Sequence, residues 1–216
     1  MKVLGIVCSP RIGGNTEILV NEALASAKEI GAEVELITLA DKNISFCDGC
    51  DSCTGTKKCR IADDMQEIYL KLLEADGIIF GTPVYFWNVS AQAKALIDRT
   101  YVLREGRRLR NKVAGVVVVA RRAGATQAFN AFNSFFAIHR MISATGAITY
   151  ATGQEIGPRE RGGGAIAYAG KKGEVRQDEQ GMGEARFIGM AVARTIQKYK
   201  EKDLSLIHIS EPTRPY

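Results

Sequence analysis

Met1-Lys2-Val3-Leu4-Gly5-Ile6-Val7-Cys8 runs directly into Ser9-Pro10-Arg11-Ile12-Gly13-Gly14-Asn15-Thr16, and a helical pattern begins at Thr16. The first stretch is apolar with hardly a polar break, as in a strand covered on both faces. The Pro and Gly residues that follow force a tight turn. Small residues there, Gly14 among them, let backbone N–H groups point inward, and the helix N-terminus adds partial positive charge. Ser9, Asn15 and Thr16 offer hydrogen bonds, and Arg11 offers a charge-assisted contact to a phosphate. The junction lacks both the Gly-Lys-Ser/Thr of a nucleotide-hydrolysing loop and the spacing of a dinucleotide-binding turn. It suits a terminal phosphomonoester. The structural alternative is a plain Gly-Gly turn closed by a threonine cap.

Working outward, strands are expected at Lys2–Cys8, Glu33–Leu39, Gly77–Phe80, Lys112–Ala120 and Ala147–Ala151. Helices are expected at Thr16–Ile30, Asp63–Ala75, Ala91–Leu103, Ala125–Ala144 and Gly183–Lys202. Five rounds of strand–helix alternation argue for a parallel sheet with right-handed crossovers. The expected architecture is α/β, a doubly wound five-stranded sheet in the order 2-1-3-4-5 with helices on both faces. Ligands of such sheets bind at the carboxyl ends of the strands, where the loops after strands one, three and four converge. Gly153–Gly181 is too polar to build a core and reads as a long loop or subunit contact. The expected domain is 1–203. The tail 204–216 carries two prolines, resembles translated sequencing-adapter DNA, and is set aside as non-native or disordered.

The chain has 216 residues and a net charge of +5, too small an excess to argue for nucleic acid. The pairs Arg107-Arg108 and Arg121-Arg122 would attract an anionic cofactor or simply form solvated surface. No apolar run reaches the roughly 20 residues of a membrane span, so no membrane association and a cytoplasmic location are expected. His139 is the one histidine before the tail and, on a helix, reads as structural, which leaves no material for Ser-His-Asp hydrolysis.

The second loop, Gly81-Thr82-Pro83-Val84-Tyr85-Phe86-Trp87-Asn88-Val89-Ser90, places aromatics on a surface. Exposed apolar area there needs a cover. A planar isoalloxazine ring would supply one, with Pro83, Val84, Tyr85, Phe86 and Asn88 around it. The alternative is packing under a neighbouring loop or another subunit. Arg121 and Gly124 follow the fourth strand, where positive charge would favour an anionic reduced flavin. Phosphate loop and ring cover together point to FMN. Ser9-Pro10-Arg11 with Gly14-Asn15-Thr16, then Pro83-Val84-Tyr85, then Ala91 to Arg99 resemble the NAD(P)H-dependent FMN reductase family over roughly Met1 to Lys202. That resemblance implies a flavodoxin-like fold, flavin-dependent oxidoreductase activity and NAD(P)H as a reductant.

Four of the five cysteines fall in Cys47-x2-Cys50-x2-Cys53-x5-Cys59. Three thiolates at this pitch suit successive corners of a cubane, and the five-residue spacer is long enough to fold the fourth back. Zinc usually takes two separated pairs, and a disulfide would leave two cysteines idle. Cysteines without metal remain open as well. The spacing resembles the compact motif of iron–sulfur flavoproteins, a branch of the same family. The resemblance implies a [4Fe-4S] cluster on Cys47, Cys50, Cys53 and Cys59 exchanging electrons with FMN. It also implies a homodimer or homotetramer with the cluster near a neighbouring subunit's FMN, and a ferredoxin-type electron donor. The rivals are a cluster-free NAD(P)H-dependent FMN or quinone reductase and a redox or metal sensor on the same scaffold.

Overall fold

A computed structural model describes residues 1–144, 165–168 and 170–201. The strands are β1 (Lys2–Val7), β2 (Glu33–Thr38), β3 (Gly77–Tyr85), β4 (Asn88–Val89), β5 (Val113–Ala120), β6 (Ile142–Ser143) and β7 (Ala165–Tyr168). The α-helices are α1 (Asn15–Glu29), α2 (Met65–Glu74), α3 (Ala91–Arg99), α4 (Ala125–Ile138) and α5 (Glu179–Glu201). The main sheet runs β2-β1-β3-β5-β6, parallel throughout. That is the expected doubly wound order, with β4 as a short antiparallel hairpin partner of β3.

Every residue of β5 is buried, as a strand covered on both faces requires. On one face α1 and α5 close a core through Leu19, Val20, Ile188, Val192 and Ile196. On the other, α2, α3 and α4 contribute Met65, Leu72, Leu96 and Phe132. There Phe80 of β3 packs on Phe132, Phe135 and Phe136 at ring separations of 5.2 to 5.7 Å.

Three expectations change. The third strand continues past Phe80 to Tyr85, because Thr82 and Pro83 stay in register with β5. The helix from Ala91 gives way after Arg99 to a tighter turn at Thr100–Leu103. The helix from Ala125 stops at Ile138, since residues 142–143 are drawn into the sheet beside Val113 and Ala114. The expected fifth strand at 147–151 and the tail 204–216 lie outside the described residues. Within the stretch read as a long loop, β7 pairs in parallel with Val117–Ala120 of β5. Among the described residues no helix is long and apolar enough to cross a membrane.

Candidate functional site

Three loops leave the carboxyl ends of β1, β3 and β5 and are tied together by backbone contacts. The Cys8 N–H donates to the Gly81 carbonyl at 2.7 Å. The Ser90 hydroxyl donates to the Cys8 carbonyl at 2.5 Å and accepts the Ala93 N–H at 3.1 Å, so one side chain caps α3 and binds the first loop. Sequence reasoning missed Ser90; a serine just before the helical pattern was the available signal. Gly124, at φ +90°, closes the third side. A Cβ there would lie 2.5 Å from the Trp87 Cα, so only glycine lets these loops touch.

The first loop is preformed. Ser9 is buried and its Oγ accepts the Arg11 N–H at 3.2 Å, while the Arg11 side chain is exposed. Gly14 is the N-cap of α1, and Thr16 is buried against Gly81. Asn15 behaves differently. Its amide N–H donates to the Lys171 carbonyl at 2.7 Å and its Oδ1 accepts the Gly173 N–H at 2.8 Å, tethering a turn far along the chain. Arg121 lies alongside that turn, its Nε 3.3 Å from where a Cβ on Gly170 would stand. Cys8 is fully buried, and burial pushes its thiol well above the ordinary range, which leaves it unreactive.

The aromatic loop is a hairpin that sequence reading took as irregular. Val84 pairs with Val89 and Tyr85 with Asn88, leaving Phe86 and Trp87 as the two turn residues. Both have positive φ, +45° and +66°. Such two-residue turns strongly favour Asn-Gly, because ordinary side chains are strained there. Phe86 is nevertheless fully exposed (102%) and Trp87 largely so (63%). Strain and exposed apolar area coincide at one point, at the sheet edge from which the first loop also leaves. Pro83 is buried and Val84 half-buried beneath.

The four cysteines line a single cavity of about 960 Å³, walled by Ile97, Val102, Phe135 and Ile138 and floored by Arg99 and His139. Cys47 and Cys50 are exposed and Cys53 and Cys59 partly so. Gly49 and Gly55, with Asp51 and Lys57, take positive φ and fold the segment tightly. The Ser52 hydroxyl, helped by Arg60, holds the Cys50 thiol below its usual range; burial and the neighbouring Cys59, Asp51 and Cys47 push Cys53 up. Arg60 also pairs with Asp48. Four thiols sharing one partly apolar cavity fit an iron–sulfur cluster by donor type. Among the described residues, no three His, Cys, Asp or Glu side chains converge as a single-ion site requires.

A buried ion pair anchors this segment. Arg99 holds Asp63 through two hydrogen bonds, 2.6 and 2.9 Å, with both side chains almost fully buried. The same guanidinium donates to the Ser45 carbonyl at 2.8 Å and the Ile61 carbonyl at 3.4 Å, on either side of the cysteines. Burial alone would raise the Asp63 carboxyl, but Arg99 and the N–H groups of Ser45 and Met65 outweigh it and keep it low. Sequence reading placed Asp63 only as a helix-start carboxylate. His139 is buried in the cavity floor, with Nε2 3.2 Å from the Thr100 hydroxyl, and burial pushes it down to about 4.

Comparison with known proteins fits this geometry. The model of the NADPH-dependent FMN reductase family matches residues 1–155. The chain is 43% identical over 203 residues to an iron-sulfur flavoprotein of Methanocaldococcus jannaschii, covering 93% of this chain and 100% of that one. It is 39% identical over 163 residues to an iron-sulfur flavoprotein of Methanosarcina thermophila, covering 72% of this chain and 85% of that one. In fold it resembles the solved flavodoxin, WrbA-like protein from Agrobacterium tumefaciens, with a TM-score of 0.61 at 16% identity, over 91% of this chain and 97% of that one. The chain therefore belongs to the NADPH-dependent FMN reductase family, with the iron-sulfur flavoproteins, and is a flavin-dependent oxidoreductase of flavodoxin-like fold.

Proposed function

We propose that the chain binds FMN at the carboxyl edge of the sheet and a [4Fe-4S] cluster on Cys47, Cys50, Cys53 and Cys59, and works as an electron-transfer oxidoreductase of the iron–sulfur flavoprotein type. Bound there, the flavin supplies two-electron and one-electron chemistry and the cluster one-electron transfer. Ser9, Arg11 and Thr16, with the first N–H groups of α1, hold the phosphate. Phe86 and Trp87, strained and exposed on their hairpin, cover the ring, and Arg121 adds positive charge nearby. Arg99 fixes the ends of the cysteine segment, and Ile97, Phe135 and Ile138 limit water access to its cavity.

The observation that carries the reading is the pairing of these two constellations along α4. Gly124 at its start touches the aromatic hairpin, while the cysteine cavity spans Ala131 to His139. At 1.5 Å per residue, the two sites of one chain lie roughly 10–20 Å apart along the helix. The exposed Cys47 and Cys50 face outward, so a homodimer or homotetramer that brings another chain's flavin to the cysteines is part of the proposal. A ferredoxin-type donor would reach the same outward face, and NAD(P)H would reach the flavin from its own side.

The test is anaerobic reconstitution with iron and sulfide. Roughly four irons per chain with broad absorption near ~400 nm are expected. Each Cys→Ala variant should lose the cluster while keeping FMN, since separate loops hold the two. Absence of iron binding, together with full NAD(P)H-driven flavin reduction in the cysteine variants, would establish the cluster-free reductase instead.

A further inference from the structure

We propose that Lys172 is a phosphate-binding residue of the flavin site, delivered there from a remote turn by Asn15. The inference rests on the FMN reading above and adds to it a cation that neither motif contains. Asn15 is nine-tenths buried, and both ends of its amide reach across more than 150 residues of sequence, to the Lys171 carbonyl and the Gly173 N–H. Its Oδ1 also lies 3.5 Å from the Val175 N–H, and Val175 is fully buried beneath the turn. Glu174 stiffens the turn from the other side, accepting the N–H groups of Gly170 and Lys171 at 2.6 and 2.7 Å.

Between these two fixed carbonyl and N–H contacts sits Lys172. Its Nζ lies 3.3 Å, and its Cε 3.4 Å, from the point where a Cβ on Gly13 would stand. Gly13 is the crest of the phosphate loop at φ +64°. The exposed Lys172 ammonium and the helix N-terminus both bring donors and no acceptor, an arrangement that favours an anion between them. Among the described residues nothing accepts from the Lys172 ammonium. The charged neighbours are mixed: Arg11 lies in the loop and Arg121 beside Gly170, while the Glu17 carboxylate accepts the Gly13 N–H at 2.7 Å. A phosphate dianion of FMN satisfies the loop donors and Lys172 at once, and riboflavin, which lacks it, gains nothing from the lysine.

The experiment compares FMN and riboflavin affinities by flavin-fluorescence titration of the deflavinated chain. Lys172→Gln should weaken FMN roughly tenfold at low ionic strength, leave riboflavin unchanged, and flatten the salt dependence of FMN binding. Lys172→Arg should retain most of the affinity. Asn15→Ala should act through the same turn, so its effect and that of Lys172→Gln should fall well short of adding in the double variant. If the wild type binds neither flavin, the FMN reading itself fails. If the wild type prefers FMN and Lys172→Gln keeps that preference, Lys172 has no phosphate role and the FMN reading stands. Additive losses would overturn the tether and make Asn15 a direct ligand.

Discussion

The two ends of α4 are built on opposite plans. At its start, short loops are knitted by Ser90, Gly81 and Gly124, so the edge proposed for the flavin is shaped before any ligand arrives. Toward its end, the chain between Thr38 and Met65 forms no helix or strand, and its cysteines sit on a segment fastened chiefly where it begins and finishes. Arg99 and Asp63 supply that fastening, with the Glu105 carboxylate on the Gly55 N–H as a lighter stay at 2.9 Å. The end proposed for the flavin is preorganised; the cysteine end has fixed anchors and a span whose final shape the proposed cluster would complete.

Breaking the anchor should have the largest effect. Arg99→Met leaves the buried Asp63 carboxylate without its counter-charge and the Ser45 carbonyl without the Arg99 donor, a loss of about 3–5 kcal/mol in urea unfolding. Amide exchange should rise at residues 45–61 and stay slow at 82–90. Removing both charges together, with Asp63→Leu, should restore most of the stability; failure to recover would mean the pair is more than an anchor.

Acid titration probes the cavity floor at a smaller scale. His139 is held near 4 by burial and, secondarily, by the Arg104 cation, with Thr100 and Phe135 as its other neighbours. An unfolded histidine titrates near ~6.5, so between these values the unfolded chain binds more protons than the folded one. Stability is thus fully present above about pH 6.5 and declines as pH falls toward 4, by roughly 3 kcal/mol. His139→Gln should flatten that stretch of the curve. The loss carried by Asp63, whose folded carboxyl is held low, lies at still lower pH.

The aromatic hairpin should respond in the opposite sense. Phe86→Asn with Trp87→Gly gives the turn its preferred residues, and melting should show a gain of about 1–2 kcal/mol. Flavin content should fall in the same variant, a trade of stability against function. No gain in stability would mean that the turn is relaxed as it stands. The smallest change is Glu17→Gln, which keeps an acceptor for the Gly13 N–H and removes its charge. FMN affinity should rise about twofold, an amount set by a partly exposed, screened interaction.

The sheet order was legible because it is carried by local patterns: the apolar run into Cys8, the Val116–Val119 stretch, and turn chemistry between them. Both candidate sites were legible for the same reason, since the phosphate loop and the four cysteines are each contiguous. What stayed hidden is what joins distant segments. Nothing near Arg99 announces a partner 36 residues earlier in the sequence. Asn15 read as a phosphate ligand from its position, and only the fold reveals that its amide is engaged with the turn at 171–175. The Phe86-Trp87 hairpin was missed because its residues are the wrong ones for their turn, so propensity pointed away from it.

The packing of α5 on α1 has a consequence for synthesis. Gly189 lies so close that a Cβ would stand 1.9 Å from the Ala23 carbonyl oxygen, and the Ser26 hydroxyl donates to the Arg186 carbonyl at 2.8 Å. The cover of α1 is therefore among the last described residues to leave the ribosome. At about 5–20 residues per second, α1 waits roughly ten to thirty seconds for it. During that interval the side of α1 that meets α5, around Ala23 and Ser26, is uncovered, while the cysteine segment has long since emerged. Nascent chains stalled before residue 179 should therefore be the aggregation-prone species, and the point at which chaperones let go should coincide with the arrival of Ile188 and Val192.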